Sequence, residues 1–422
     1  MSQHQEYKKT GCSPALPLQG VRVLEFSHTI MGPCAGMVLA DLGADVVKIE
    51  PLPTGDKTRQ LRGFAAGFFA TFNRNKRSLL IDLKQQRGQD ALHRLIADFD
   101  VVLDNYGPGT MERLACGYDQ LSALNERLVF LSLKGYLGGP LQDRPALDEV
   151  VQFQSGLAYM TGPPGRPLRA GASIVDILGA VFGVTGVLAA LRERDTTGRG
   201  QRVGSSLFES AAFMMASHMT GGATAGEKVP PMTARKGAWG IYDVFESRDG
   251  EQVFIGVTSD SQWQRFCTEF CLVSLQKDSR LATNPDRTMH RDWLLPEIES
   301  AVKQYNYDDL IALLTVADVS WSPVGKPEDL WQDQQLLAGG LIETALATSE
   351  EAATEAIRDS MIGVPGLPLE FGQHRTRLGM QRQPPVTGQH TVEVLQEAGF
   401  EQSLIDSMLR ARVIAAADNG YP

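Results

Sequence analysis

The stretch GVRVLEFSHTIMGPCAGMVLADLGADVVKIEPL, residues 20–52, decides the fold. Its first apolar run, residues 21–26, reads as a strand. Pro33 then sits where the first turn of a helix tolerates a residue without an N–H, and Gly43 closes that helix. Residues 45–49 form the next strand. A strand, a crossover helix and a second strand in so short a span make a βαβ unit, and the sheet it begins is parallel. Working outward, further strand and helix signals fall at 77–82 (RSLLID), 88–99, 101–104 and 128–132, with turn residues between them. This half of the chain reads as doubly wound α/β.

A long apolar helix over 177–193 follows, then the turn TTGRGQ, a strand at 202–205 and a helix over 207–218. Proline, glycine and threonine concentrate from 221 to 233, which reads as a linker. Beyond it, 239–246 and 252–257 read as strands around the turn Arg248-Asp249-Gly250-Glu251, and helical periodicity runs from 260 to 314. Strands return near 341–344 and 361–371, and a helix pair closes the chain at 391–412. There is no internal repeat and no low-complexity tract.

The 422 residues leave room for two or three domains of about 150 residues each. Forty Lys and Arg against 50 Asp and Glu give a net charge of −10, which argues against nucleic acid or anionic lipid as a partner. With 43% hydrophobic and 21% charged residues the composition is that of an ordinary globular protein. Five scattered cysteines suit a reduced compartment, and the N-terminal segment has no apolar core of a secretory signal, so a cytoplasmic location is expected. Residues 172–191 are apolar enough to suggest a membrane span. Asp176 in their midst is costly in lipid, however, and Gly179, Gly183 and Gly186 fit close packing inside a core, so no membrane is expected.

Several candidate sites can be weighed residue by residue. The loop 27–33 joins a strand end to a helix N-terminus, where free N–H groups favour an anion, but it lacks the glycine spacing of a dinucleotide site. Glu50 could mimic a ribose-binding acid, though without those glycines a nicotinamide cofactor has little support. Asp176 is the hardest residue to explain, a carboxylate flanked by Ile174, Val175, Ile177 and Leu178. At a helix start, N–H groups can hold its charge while apolar neighbours strip water from it, leaving a nucleophile; a plain Asp cap is the alternative. Asp148 and Glu149 are adjacent on a helix, so they point in different directions and do not form an acid–base pair. Cys267 and Cys271 share a helix spacing, but no ligand cluster completes a metal site, and the seven histidines show no paired spacing. No P-loop and no GxSxG elbow is present. Lys76 and Arg77, Arg113 and Lys134 lie near expected sheet ends, where together they could hold a phosphorylated cofactor.

Eight blocks then assemble in order: LQGVRVLEFSHTIMGPCAGMVLADLGADVVKIEPLPTGDKTR, FNRNKRSLLIDLK, LDNYGPGTMERLACGYDQL, SLKGY, EVVQFQSGLAYMTG, RAGASIVDILGAVFGVTGVLAAL, TTGRGQRVGSSLFES and PPVTGQHTVEVLQEAGF. Through them the chain resembles the class III CoA-transferases, which include formyl-CoA transferase and the carnitine CoA-transferases. The resemblance implies a Rossmann-like large domain built from both chain ends (1–220 and 331–422), a smaller inserted α+β domain (221–330), and two chains interlocked as rings. It implies transfer of CoA between an acyl-CoA and a free small carboxylic acid, with no prosthetic group, and it aligns the catalytic aspartate with Asp176. By the same alignment His28 and Ile30 lie beside the thioester, Lys76 near the nucleotide, and Asn105, Arg113 and Lys134 at further cofactor-side positions.

Two positions depart from formyl-CoA transferases, which carry glutamine where this chain has Ile30 and arginine where it has Pro51. No glycine run resembling their mobile lid is found. Formyl-CoA and oxalate are thereby disfavoured, and a dicarboxylic acyl group such as succinyl is expected, with Arg166, Arg169 or the Arg235-Lys236 pair as the distal cation. The alternatives are acyl-CoA racemisation and CoA binding without catalysis. The racemase histidine is replaced by Leu147, which cannot move a proton.

Overall fold

The computed structural model describes residues 16–234, 237–345 and 360–417. Five strands are almost wholly buried at their centres, as strands covered on both faces must be: β1 (Arg22–Phe26), β2 (Asp45–Glu50), β3 (Lys76–Ile81), β4 (Val101–Asp104) and β5 (Val129–Lys134); the edge strand β6 (Arg202–Ser206) is buried only at its end. They run parallel in the order β3-β2-β1-β4-β5-β6, and a short strand from the chain's far end, Ile414–Ala415, pairs antiparallel with β3. The βαβ reading of 20–52 holds: β1 pairs in parallel with β2 from Arg22 against Asp45 onward. Between them lies α1 (Met31–Asp41), with Pro33 in its first turn and Gly43 just beyond its end at φ +106°.

Successive residues of a strand face opposite sides, and this sorts the core in two. Val23, Val46, Leu103 and Leu131 pack beneath α1 and three later helices, α3 (Asp148–Gln154), α4 (Ile174–Thr197) and α5 (Leu207–Ala225), numbered after α2 (Gln86–Leu95). Leu24, Phe26, Val47, Val102 and Phe130 face the other way, onto α2 and the helix Thr391–Glu397.

Helix α4 is long and apolar enough to cross a membrane by length and composition, yet its glycines are contact points. A Cβ on Gly179 would lie 2.5 Å from the Met31 side chain, one on Gly183 2.8 Å from Leu133, and one on Gly186 2.5 Å from Val203. The helix thus lies directly on β5, β6 and α1, as those glycines suggest.

The sequence reading differs from the structure in places. Helix α5 continues to Ala225, so the first residues of the expected linker are helical, and the chain divides into compact units of 1–229 with 335–422, and 230–334. In the second unit β7 (Ile241–Glu246), β8 (Gln252–Val257) and β9 (Ser320–Pro323) form an antiparallel sheet over Trp263, Phe266, Ile298 and Leu314. Strand β9 was not expected, because Ser-Trp-Ser-Pro is short and ends in proline, and it becomes a strand only by pairing with β8. Cys267 and Cys271 do not share a helix face, since that helix ends at Glu269; Cys267 is buried and Cys271 exposed. Cys12, Arg235 and Lys236 lie outside the described residues.

One buried cluster ties β1, β2 and β3 together. Glu25 on β1 is fully buried and binds Lys48 on β2 (3.3 Å) and Lys76 on β3 (2.8 Å). Helix α1 passes so close to it that a Cβ on Gly36 would stand 1.7 Å from Glu25 Oε2. Gly36→Ala must therefore displace a buried, paired carboxylate, and is expected to destabilise the fold by about 3 kcal/mol or more. Thermal unfolding measures this, and an unchanged midpoint would refute the close approach.

Candidate active site

In a doubly wound sheet the loops leave a crevice where the strand order reverses, here between β1 and β4 at their carboxyl ends. Four sequence-predicted residues meet there. The His28 N–H donates to Asn105 Oδ1 and Asn105 Nδ2 donates to the His28 carbonyl, each at 3.0 Å, which ties the loop after β1 to the loop after β4. The His28 ring stacks on Tyr106, with centroids 5.8 Å apart. Burial of the ring first, then Lys48 and Lys134, push the His28 pKa down against the pull of Asp56, which favours the neutral imidazole. Lys134, at the end of β5, binds the Asp104 carboxylate and donates to the Tyr106 carbonyl at 2.6 Å. Ile30 is buried and caps α1. Arg113 stands farther along the β4 loop, exposed, with its guanidinium on Thr110 Oγ1 at 2.8 Å.

Lys76 is a correction. Its ammonium is fully buried and held by Glu25, the Pro33 carbonyl (2.9 Å) and Asn73 (3.0 Å), so it faces no nucleotide. Burial lowers its pKa to about 8 despite Glu25. Arg77 is likewise committed, to Asp45, Glu393 and Glu397. The four-cation phosphate site expected from sequence is thus reduced to Arg113 and Lys134, because the two residues that open β3 turn inward to neutralise acids. Glu50 does not face the crevice for a ribose either: it is fully buried, paired with Arg59 (2.6 Å) and Ser78 (2.7 Å).

Asp176 lies in the first turn of α4, beside the start of α1: Gly179 meets Met31, and Asp176 acts on the buried Cys34. It is not the helix cap. The cap position belongs to Ser173, whose side chain makes no capping bond. That role is filled across space by Asp148, the first residue of α3, whose Oδ2 accepts the N–H groups of Val175 (2.9 Å) and Asp176 (3.1 Å). Gln152 donates to the other oxygen of Asp148 and accepts the Ala170 N–H at 2.9 Å, so α3 grips the run-in to α4 at two places. No local pattern could announce a cap that lies 28 residues upstream. Glu149, its neighbour, turns outward to pair with Arg169 at 3.0 Å.

The consequence for Asp176 is electrostatic. The helix N–H groups that would steady its charge are already taken, and no cation pairs with it among the described residues. Burial first, then the like charges of Asp148 and Glu149, push its pKa up to about 7. Asp176 is therefore a poised carboxyl group, divided between its protonated and ionised forms near pH 7, and its ionised form is poorly stabilised, as a nucleophile's should be. Among the described residues no group of three His, Cys, Asp or Glu side chains is placed to hold a metal ion.

The model of CoA-transferase family III matches residues 18–391. The chain belongs to that family. A class III CoA-transferase of this kind exchanges CoA thioesters. It is 32% identical over 402 residues, 92% of this chain and 86% of the other, to an acyl-CoA transferase of Fusarium pseudograminearum. It is 30% identical over 395 residues, 90% and 95% of the two chains, to a succinate–glutarate CoA-transferase of Agrobacterium fabrum. The crystal structure of a CAIB/BAIF family protein from Brucella suis superposes with a TM-score of 0.77 at 30% identity, covering 90% of this chain and 99% of that one.

Two measurements check the state of Asp176 in this transferase. Its pKa is about 7 in the fold against an ordinary 3.8, so the ionised form opposes folding above pH 7 and that penalty fades as pH falls through 7 toward 4. Asp176→Asn should raise the melting temperature at pH 8, by up to about 4 kcal/mol of stability, and give no gain at pH 4. Attack needs the carboxylate, so kcat/KM should rise with pH around 7, and Asp148→Asn, which removes the nearest like charge, should move that rise to lower pH. A profile left in place by Asp148→Asn would refute the coupling.

Proposed function

We propose that the chain transfers CoA from a dicarboxylyl-CoA such as succinyl-CoA to a second small carboxylic acid, with Asp176 as the nucleophile. The observation that carries the reading is a carboxylate with no cation partner among the described residues, raised to about 7, at a helix start beside the sheet's crevice. An Asp176 oxygen adds to the thioester carbonyl and the C–S bond breaks, leaving an acyl–aspartyl anhydride and CoA thiolate. The thiolate attacks the aspartyl carbonyl of that anhydride, which frees the donor acid and leaves an aspartyl thioester. The acceptor carboxylate then attacks that thioester, again releasing thiolate, and the thiolate takes the acceptor's acyl carbon to regenerate Asp176. One thioester replaces another, so the exchange calls for no ATP and no prosthetic group.

His28 and Ile30 line the thioester side of the crevice, and Asn105, Arg113 and Lys134 serve the cofactor. Arg169, half-buried and paired with Glu149 close to Asp176, is the cation for the acceptor's distal carboxylate, with exposed Arg166 nearby in sequence. The dicarboxylate in the Agrobacterium relative's name supports this choice. Ile30, apolar where formyl-CoA transferases have glutamine, supports a substrate other than formyl-CoA. Racemisation finds no favouring observation, since Leu147 is 66% exposed and carries no proton.

The reading includes an interlocked homodimer whose large domain is built from both chain ends, in the cytoplasm. Only 44% of the most apolar stretch of α4 is buried. Ile177, Val181, Phe182 and Leu188 on α4 and Phe213 and Met219 on α5 remain open, with the Phe182 and Phe213 rings 5.2 Å apart. An apolar face of that kind is covered in a working protein, and a second copy is the cover proposed.

A panel of acyl-CoAs and free acids, followed by mass spectrometry of new CoA thioesters, tests the proposal. Succinyl-CoA with a dicarboxylic acceptor should give product, and Asp176→Ala should give none while still binding CoA. Arg169→Leu should raise KM for the dicarboxylate about tenfold or more and leave that for a monocarboxylate unchanged. Turnover with acetyl-CoA and with no dicarboxylyl-CoA would sink the substrate assignment.

A further inference from the structure

The turn that carries His28 is held in a conformation its own sequence disfavours. Thr29 has φ +65°, the left-handed region, where a β-branched side chain crowds its own backbone. Left to itself the turn would relax, so something outside it must fix it. Asn105 holds the residue before. The Thr29 N–H donates to Thr58 Oγ1 at 2.9 Å, from the 3₁₀ turn Lys57–Gln60 in the β2–β3 connection.

The Thr58 hydroxyl is itself oriented. It donates to Asp56 Oδ1 at 2.7 Å, and the same oxygen accepts the Thr58 N–H at 2.9 Å. With its proton spent on Asp56, the hydroxyl presents only lone pairs to Thr29. The other Asp56 oxygen binds Lys48 Nζ at 3.0 Å, and Lys48 donates to both the carbonyl and the hydroxyl of Ser27 at 2.9 Å. One buried chain, Thr58 to Asp56 to Lys48, therefore grips the turn at Thr29 and at Ser27. Thr58 and Asp56 are each 3% exposed and Lys48 0%, so the chain of bonds behind the turn is shielded from water.

We propose that Thr58 is a positioning residue for CoA transfer, its hydroxyl holding the Thr29 amide and thereby setting the His28–Ile30 turn at the crevice. The inference rests on the reading that His28 and Ile30 line the thioester side. Thr58 acts through that turn and not on the substrate. Its worth follows from preorganisation: a reacting group displaced by about 1 Å loses roughly a hundredfold in rate.

The test combines transfer kinetics with amide exchange. Thr58→Val keeps the shape and removes the acceptor. It should lower kcat about tenfold or more with KM for the acyl-CoA within about threefold of wild type. Exchange in the peptide containing Thr29 should speed up while peptides from β4 and β5 stay protected. Thr58→Ser, which keeps the hydroxyl, should restore kcat to within about twofold, and Thr29→Gly in the Thr58→Val background should recover part of the loss, since glycine adopts positive φ freely. If Thr58→Val does not fold, Thr58→Ala is read the same way. Faster exchange with kcat unchanged, or a Thr58→Ser variant as slow as Thr58→Val, would overturn the proposal, as would exchange left unaltered. Should wild-type protein transfer nothing from any acyl-CoA, the reading of the reaction falls, and the exchange arm still decides separately whether Thr58 anchors the turn.

Discussion

Taking a carboxylate out of water without giving it a cation is the constraint on which this structure turns. Among the other buried acids, Glu25 has two lysines, Glu50 has Arg59, Asp41 has Arg74 and Asp104 has Lys134, and buried Asp148 has N–H donors instead. Asp176 is treated in the opposite way. Its neighbours are acids, and the helix N–H groups that would have stabilised it are bound by Asp148. The same interaction that fixes the position of the nucleophile also withholds stabilisation from it.

The rest of the large unit can be read as support for that arrangement. Parallel strands place every loop with chemistry at one edge, and the reversal of strand order opens a crevice between β1 and β4 there. Buried ion pairs beneath the crevice keep the β1 loop in place, although its left-handed Thr29 would cost an unsupported chain about 1–2 kcal/mol. Helix α4 lies close enough to the sheet, through Gly179, Gly183 and Gly186, to bring its first turn beside the start of α1. Stability is spent in the scaffold so that the crevice can hold two unfavourable features, an uncompensated acid and a strained turn.

Much of the fold was legible in the chain because the signals were local. The βαβ opening, strands β4 and β8, and the start of α5 follow from apolar runs and turn residues. Asp176 stood out as a charged residue in an apolar run, and the family blocks gave it a role. What escaped was non-local. The cap supplied by Asp148 depends on two helices meeting, and Thr58 reaches Thr29 across 29 residues of chain. Lys76 was read as a cation for the cofactor because its partner Glu25 lies 51 residues away on another strand. Sequence alone shows that a charge exists; which charge neutralises it is decided by the sheet's register. β9 was missed for the same reason, as its pairing partner lies far away in the chain.

The central claim is that Asp176 itself becomes acylated, and trapping tests it most directly. The protein would be incubated with succinyl-CoA in the absence of acceptor, treated with hydroxylamine, digested and mapped by mass spectrometry. Hydroxylamine converts an aspartyl anhydride or thioester to the aspartyl hydroxamate. The account predicts that modification on Asp176 and only when acyl-CoA is present. A hydroxamate on another carboxylate, or none while transfer proceeds at its usual rate, would contradict it.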